Sequence, residues 1–154
     1  EEAMNAGDLA SLRRARIDDP VCGPFFRVSA MFLEPHGFVP VDGPAREFAE
    51  RCWTSLLSAM AHTVGLHRPG SPVGSALAEA GYSEQRFVRL LRASDKALHD
   101  EMMTASRYLA VKAIPFDWAD LVRLMLSDSF AHAETVRRQI ARSYYRVVEQ
   151  SNNQ

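Results

Sequence analysis

Apolar residues recur along this chain at three- and four-residue intervals, and the pattern is broken repeatedly by proline, glycine or a capping side chain. Leu9, Leu12 and Ile17 mark a first helix over about Gly7 to Ile17. Pro24, a good first-turn residue, opens a shorter helix that runs to Leu33, where Pro35 and Gly37 end it. Segment 34–43 holds Pro35, Gly37 and Pro40 and reads as a loop. Pro44 opens the strongest helical signal, with Phe48, Cys52, Trp53, Leu56, Leu57, Met60 and Val64 in one stripe up to Gly65. After a loop at His67 to Gly70, Ser71-Pro72 supplies an N-cap and a proline at the first helical position, and Gly81 closes that helix.

Ser83 caps the next helix, which turns Phe87, Val88, Leu90 and Leu91 inward. Ser94-Asp95 then caps a separate helix carrying Leu98, Met102, Ala105 and Leu109. One long helix over 84–112 is the alternative, and the break is the preferred reading. Ile114-Pro115 ends the segment, and Asp117 and Asp120 frame a start followed by Trp118, Leu121, Val122 and Met125. The last helix is expected over about Glu134 to Val148. No Asn-Gly or Asp-Gly turn sits between alternating runs, so no hairpin is expected. The fold class is all-α: seven to eight short helices over a single domain, residues 1–154, as a compact bundle or two packed helical lobes.

Length and composition fit that picture. With 154 residues, 47% hydrophobic and 24% charged, the chain can bury about two-thirds of its surface without staples. These are globular values, and they exclude wholesale disorder and fibrous repeats. Cys22 and Cys52 cannot build a disulfide framework; two free, buried thiols are expected, with one bridge left open. No apolar run approaches the roughly 20 residues that span a bilayer, so no membrane role is expected. Glu1-Glu2-Ala3-Met4 lacks the basic-then-apolar pattern of a signal peptide, and a cytoplasmic location is the expectation.

Charge changes the picture more. The 18 basic residues are 16 Arg and 2 Lys against 19 acids, a net charge of -1. A GC-rich genome would favour Arg codons, and Arg forks also grip phosphate better than Lys does. The near-neutral total excludes indiscriminate coating of nucleic acid. It conceals an asymmetry: residues 1–85 carry 7 basic and 11 acidic side chains, and residues 86–146 carry 11 basic and 7 acidic. Within the second stretch the arginines form rows. At 100° per residue, Arg86, Arg89 and Arg92 share one face, and Phe87, Leu90 and Leu91 occupy another. Arg138, Arg142 and Arg146 stack in a second row, away from Val136, Ile140 and Val147. Arg107 lies opposite Met102 on its own helix. A solvated face with local Glu134–Arg138 and Arg146–Glu149 pairs is the plainer reading. Like charges in a row repel, and an anionic partner relieves that cost.

Catalytic and metal-binding patterns do not emerge. His36, His62, His67, His99 and His132 form no His-Glu-x-x-His arrangement, and there is no Cys-x-x-Cys. His99-Asp100-Glu101 diverges by about 100° per residue on a helix and cannot converge on one ion. There is no Gly-x-Ser-x-Gly elbow or phosphate-binding Walker loop; Gly70, Gly74 and Gly81 read as turn and packing glycines. Phe48, Trp53, Trp118 and Phe130 read as core. The expectation is a protein that is not an enzyme and needs no cofactor.

The stretch Gly74-Ser75-Ala76-Leu77-Ala78-Glu79-Ala80-Gly81, followed by Arg86-Phe87-Val88-Arg89-Leu90-Leu91-Arg92-Ala93, resembles the CasB family. CasB is the small subunit of the type I-E CRISPR surveillance complex, Cascade. Leu12-Arg13-Arg14-Ala15, Phe25-Phe26-Arg27-Val28, Phe116-Asp117-Trp118-Ala119-Asp120-Leu121 and Tyr144-Tyr145 resemble further family landmarks, in family order. The chain departs from the family at Ile140-Ala141-Arg142-Ser143, where many members have Trp-Ala-Arg-Asp, and at polar Ser127-Asp128-Ser129 in place of a tryptophan. The resemblance implies an all-helical, non-catalytic subunit. Its implied partners are other Cascade subunits, a second copy of itself, and the backbone of guide RNA and target DNA, including the displaced strand. By motif match it places nucleic-acid contacts on Arg27, Arg86, Arg92 and Arg107. Arg89 and Arg142 join from the rows, and Arg46 as a weaker member. The competing reading is a helical interaction module whose Arg rows bind acidic proteins.

Overall fold

A computed structural model describes residues 4–16 and 22–154. Among them lie eight α-helices and one π-helical turn, and no β-strand; His67 and Phe116 form an isolated parallel bridge. The all-α expectation holds. The chain divides into two compact units, one up to His62 and one from Thr63.

In the first unit, Asn5 caps α1 (Ala6–Arg14) by accepting from the Asp8 amide at 2.8 Å. The helix stops at Arg14 because Ala15 is extended; Ile17, its expected end, lies outside the described residues. Arg13 Nε donates to the Ala61 carbonyl at 2.8 Å, and Ser58 Oγ donates to the Arg13 carbonyl at 3.3 Å. These bonds tie α1 to α3 (Gly43–His62). Between them, α2 (Gly23–Val28) has Pro24 in its first turn and widens into a π turn over Ser29–Leu33. The Glu34 amide closes that turn on the Ser29 carbonyl at 2.9 Å.

The buried stripe of α3 runs through Ala49, Cys52, Trp53, Leu56 and Ala59. Two expected members depart from it. Phe48, 49% exposed, falls at the edge of the stripe, and Val64, 62% exposed, lies beyond the helix end at His62. Cys22 and Cys52 are both buried and neither is in a disulfide, and burial pushes the Cys52 thiol up to about 11.

In the second unit, α4 (Val73–Glu79) is capped by Pro72 rather than Ser71. The Ser71 carbonyl instead accepts from the Asp117 amide at 2.7 Å, so tertiary pairing moves the cap by one residue. Gly81, at φ 77°, ends α4 with the double bond pattern of a Schellman motif: Tyr82 N to Leu77 O at 2.9 Å and Gly81 N to Ala78 O at 3.0 Å. The break between α5 (Glu84–Arg92) and α6 (Asp95–Lys112) is present, because Ala93 and Ser94 are extended. Ser83 and Ser94 sit at the two N-cap positions without a side-chain capping bond.

Asp117 organises the start of α7 (Ala119–Met125). Its carboxylate accepts from the Ala119 amide at 2.9 Å and the Gly70 amide at 2.8 Å. Asp120, the other half of the expected frame, is buried and lies 3.3 Å from Arg123. The last helix, α8 (Phe130–Asn152), starts one turn earlier than the periodicity indicates. Ser129 Oγ accepts from the His132 amide at 3.2 Å, a cap the apolar spacing does not reveal. As a first-turn residue Phe130 is 80% exposed, not core, whereas Trp118 is buried as expected.

Candidate nucleic-acid interface

Of the seven arginines singled out by sequence, Arg27 and Arg46 belong to the first unit and the other five to the second. The second unit shows how a row is held. Phe87 and Leu90 are fully buried and fix the rotation of α5, which leaves Arg86, Arg89 and Arg92 exposed on the opposite side. Phe87 stacks on Tyr144 of α8 with ring centroids 3.8 Å apart and planes 9° from parallel. Tyr144 Oη donates to the Tyr82 carbonyl at 2.6 Å, and Tyr145 Oη to Glu84 at 2.8 Å. At the far end of α5, Arg137 Nη2 donates to the Ala93 carbonyl at 2.9 Å. Helix α8 therefore runs antiparallel to α5, with Arg137 beside its C-terminus and Tyr144 and Tyr145 beside its first turns.

Arg137 is a structural arginine that helical spacing alone does not single out. Its Nε is buried without a partner, and its fork meets the carbonyl end of a helix, where a cation is favoured. The adjacent Arg138 points outward and pairs with Glu134 at 3.1 Å, as the i,i+4 spacing indicates. Arg146 and Glu149 form no such pair. Val136 and Ile140 are buried and Val147 half-buried, so the row Arg138, Arg142, Arg146 lies on the exposed side of α8.

The seven arginines differ in what already holds them. Arg86, Arg92 and Arg142 are exposed and make no hydrogen bond or ion pair with a described residue. Arg89 Nε binds Glu101 on α6 at 2.7 Å. Arg107 is exposed on α6, on the side away from buried Met102. Arg27 binds Asp8 at 2.6 Å and keeps 64% of its side chain in solvent. Arg46 is the most engaged: Glu50 at 2.8 Å, Glu34 at 3.1 Å, and the Pro40 and Val41 carbonyls at 3.2 and 3.0 Å. The two carboxylates, Glu50 foremost, raise its already high pKa. It staples segment 34–42 to α3.

Beside the α5 row an open groove of about 770 Å³ is lined by Arg89, Arg92, Glu84, Val88, Ala97 and Glu101. Among the described residues, no three His, Cys, Asp or Glu side chains are placed to share a metal ion, and no helix is long and apolar enough to cross a membrane.

These features define an all-helical protein whose exposed polar faces are built from arginine rows on a buried aromatic and aliphatic base. The model of the CRISPR-associated protein Cse2 family matches residues 8–145, and the chain belongs to that family. The fold is that of CasB from Thermobifida fusca, at a TM-score of 0.69 and 22% identity over 90% of this chain and 83% of that one. It is also that of a chain in E. coli Cascade bound to a PAM-containing dsDNA target, at 0.61 and 21% over 93% of this chain and 90% of that one. No curated protein matches.

Proposed function

We propose that this chain is the non-catalytic small subunit of a type I-E Cascade complex, acting in the cytoplasm as one all-helical domain. It contacts the backbone of the guide RNA–target DNA hybrid and of the displaced strand, and so stabilises the R-loop during antiviral defence. The observation that carries this reading is the α5 row. In a member of the Cse2 family, Arg86 and Arg92 stand exposed and unpaired on a helix whose rotation two fully buried residues fix. The likeness to a chain of E. coli Cascade on double-stranded DNA supports the same assignment.

The physics suits the role. Guide pairing supplies sequence recognition, so the subunit needs only backbone contacts. Strand exchange is nearly balanced, and a few phosphate contacts tip it. A net charge of -1 keeps affinity for loose nucleic acid modest, and assembly concentrates the arginines where they are needed. Arg86, Arg92 and Arg142 are ready for phosphate. Arg107, exposed on α6, already has a contact of its own, Arg27 and Arg89 must first exchange a carboxylate, and Arg46 contributes least. In the first unit, exposed Phe26, Met31 and Phe32 suit protein partners, the other subunits or a second copy of this chain.

The test is R86E/R92E in the reconstituted complex. Target binding weakens, and the log–log salt slope falls by about 0.7 to 0.9 for each lost phosphate contact. Unchanged binding across a salt titration refutes the assignment.

A further inference from the structure

We propose that the groove between α5 and the start of α6 receives an unstacked base of a single strand whose phosphates lie along the α5 arginines. This rests on the nucleic-acid reading above and deepens it, from a backbone contact to a preference for single strands with accessible bases.

The groove has room for a nucleoside, and the apolar part of its lining is made of short side chains, Val88, Ala93 and Ala97. Short side chains leave flat walls, which suit a planar ring better than they suit the knob of a protein side chain. Arg89 and Arg92 line the groove as well. A guanidinium there can stack on the ring or hold the adjoining phosphate.

The charges of the groove point the same way. Glu101 takes Arg89 at 2.7 Å, and Glu84, which accepts from the neutral Tyr145 hydroxyl at 2.8 Å, keeps its charge at the opposite end of α5 from Arg92, so the Arg92 end of the groove holds a cation without an ion pair and favours an anion. Glu101 also carries a second carboxylate oxygen, Oε2, that is buried with no hydrogen-bond partner. A buried acceptor in that state is costly and is relieved by a donor. When Arg89 swings from Glu101 to a phosphate, the carboxylate opens toward the groove. A nucleotide then brings both missing partners, a phosphate for the arginines and ring or amino N–H donors for Glu101. A duplex keeps its bases stacked and offers only the backbone.

The test compares a 15-nucleotide single strand of mixed sequence with an abasic sugar–phosphate polymer of equal length, by fluorescence anisotropy on the purified full chain. The base-bearing strand should bind about 5-fold tighter or more, from stacking. Ala97→Leu, which fills the groove from an exposed position without adding an aromatic face, should reduce that affinity to the abasic level and leave abasic binding unchanged. Circular dichroism verifies its fold, and Ala97→Val is the smaller replacement should Leu disturb it. R86E/R92E should weaken both polymers alike. Equal binding of the two polymers by the unaltered chain overturns the groove and leaves the backbone reading standing. Binding of neither overturns the groove, and R86E/R92E in the reconstituted complex then decides the backbone reading separately. If Ala97→Leu spares the base preference and instead prevents copurification with partner subunits, the groove takes a protein segment and the proposal fails.

Discussion

Gly74 on α4 lies so close to Ile140 on α8 that a methyl group added at its Cα would run into the Ile140 carbonyl oxygen and the Ser143 hydroxyl. The Ile140 oxygen belongs to a helix backbone that cannot yield locally, the Ser143 hydroxyl can move only by giving up its bond to that same carbonyl, and the adjacent Ser75 hydroxyl donates to the Ser143 carbonyl at 3.2 Å. Gly74→Ala should therefore destabilise the second unit by about 1 to 3 kcal/mol through overpacking. Thermal unfolding checks it, with Ser75→Ala as a milder control costing about 1 kcal/mol. An unchanged melting temperature in Gly74→Ala contradicts the close crossing.

Ala113 closes α6 in the left-handed conformation, at φ 54°, a region that costs an L-residue about 1 to 2 kcal/mol. Ala113→Gly removes that cost but loosens the unfolded chain, so a net gain of about 0.5 to 1 kcal/mol is expected. The result to measure is a rise in the denaturation midpoint with an unchanged m-value.

Asp8 competes with any phosphate for Arg27, from 2.6 Å. An exposed ion pair of this kind is worth about 0.2 to 1 kcal/mol. Asp8→Asn should accordingly tighten single-strand binding by about 1.5- to 5-fold at low salt, and the gain should fade as ionic strength rises. Weaker binding in Asp8→Asn would remove Arg27 from the interface.

Two carboxylates three residues apart should titrate on opposite sides of the ordinary value. Bonds from the Ala119 and Gly70 amides hold Asp117 below 3.8, whereas burial pushes Asp120 above it. The signs of their stability contributions differ. Asp117 favours the folded state above its unfolded pKa, and that contribution disappears as pH falls through the lower folded value. Ionised Asp120 opposes folding, and protonation relieves this as pH falls through its raised value. Carboxyl NMR titration should find the Asp117 midpoint below the Asp120 midpoint, and Asp117→Asn should flatten the loss of stability below about pH 4.

Much of the helical plan was legible along the chain because its signals are local. Pro24, Gly81, the Ser94-Asp95 break and Ile114-Pro115 act on their own backbone, and the structure keeps all four. Gly70 and Gly81, at positive φ, and Gly74, at the helix crossing, are the turn and packing glycines the reading expected. The misses have tertiary or side-chain causes. Phe48 and Phe130 carry apolar rings at positions that neighbours cover only in part, and hydrophobicity alone does not reveal coverage. Ser71 lost its capping role because its carbonyl serves Asp117 from a distant segment, and Ser129 extended α8 through one capping bond.

By itself the sequence determined the helical class, the split of charge between the two halves, and the arginine rows, since each follows from spacing on a helix of known pitch. Its motif order also pointed to the family that the chain proves to share. Only the tertiary structure decided which arginines stand free. Arg46 is spent on four acceptors of segment 34–50, Arg89 is held by a carboxylate twelve residues away, and Arg137 is turned inward to the end of α5. A helical wheel gives a side chain its direction. Whether that direction meets water, a carboxylate or a carbonyl depends on segments packed beside it, and those contacts arise only when the chain folds.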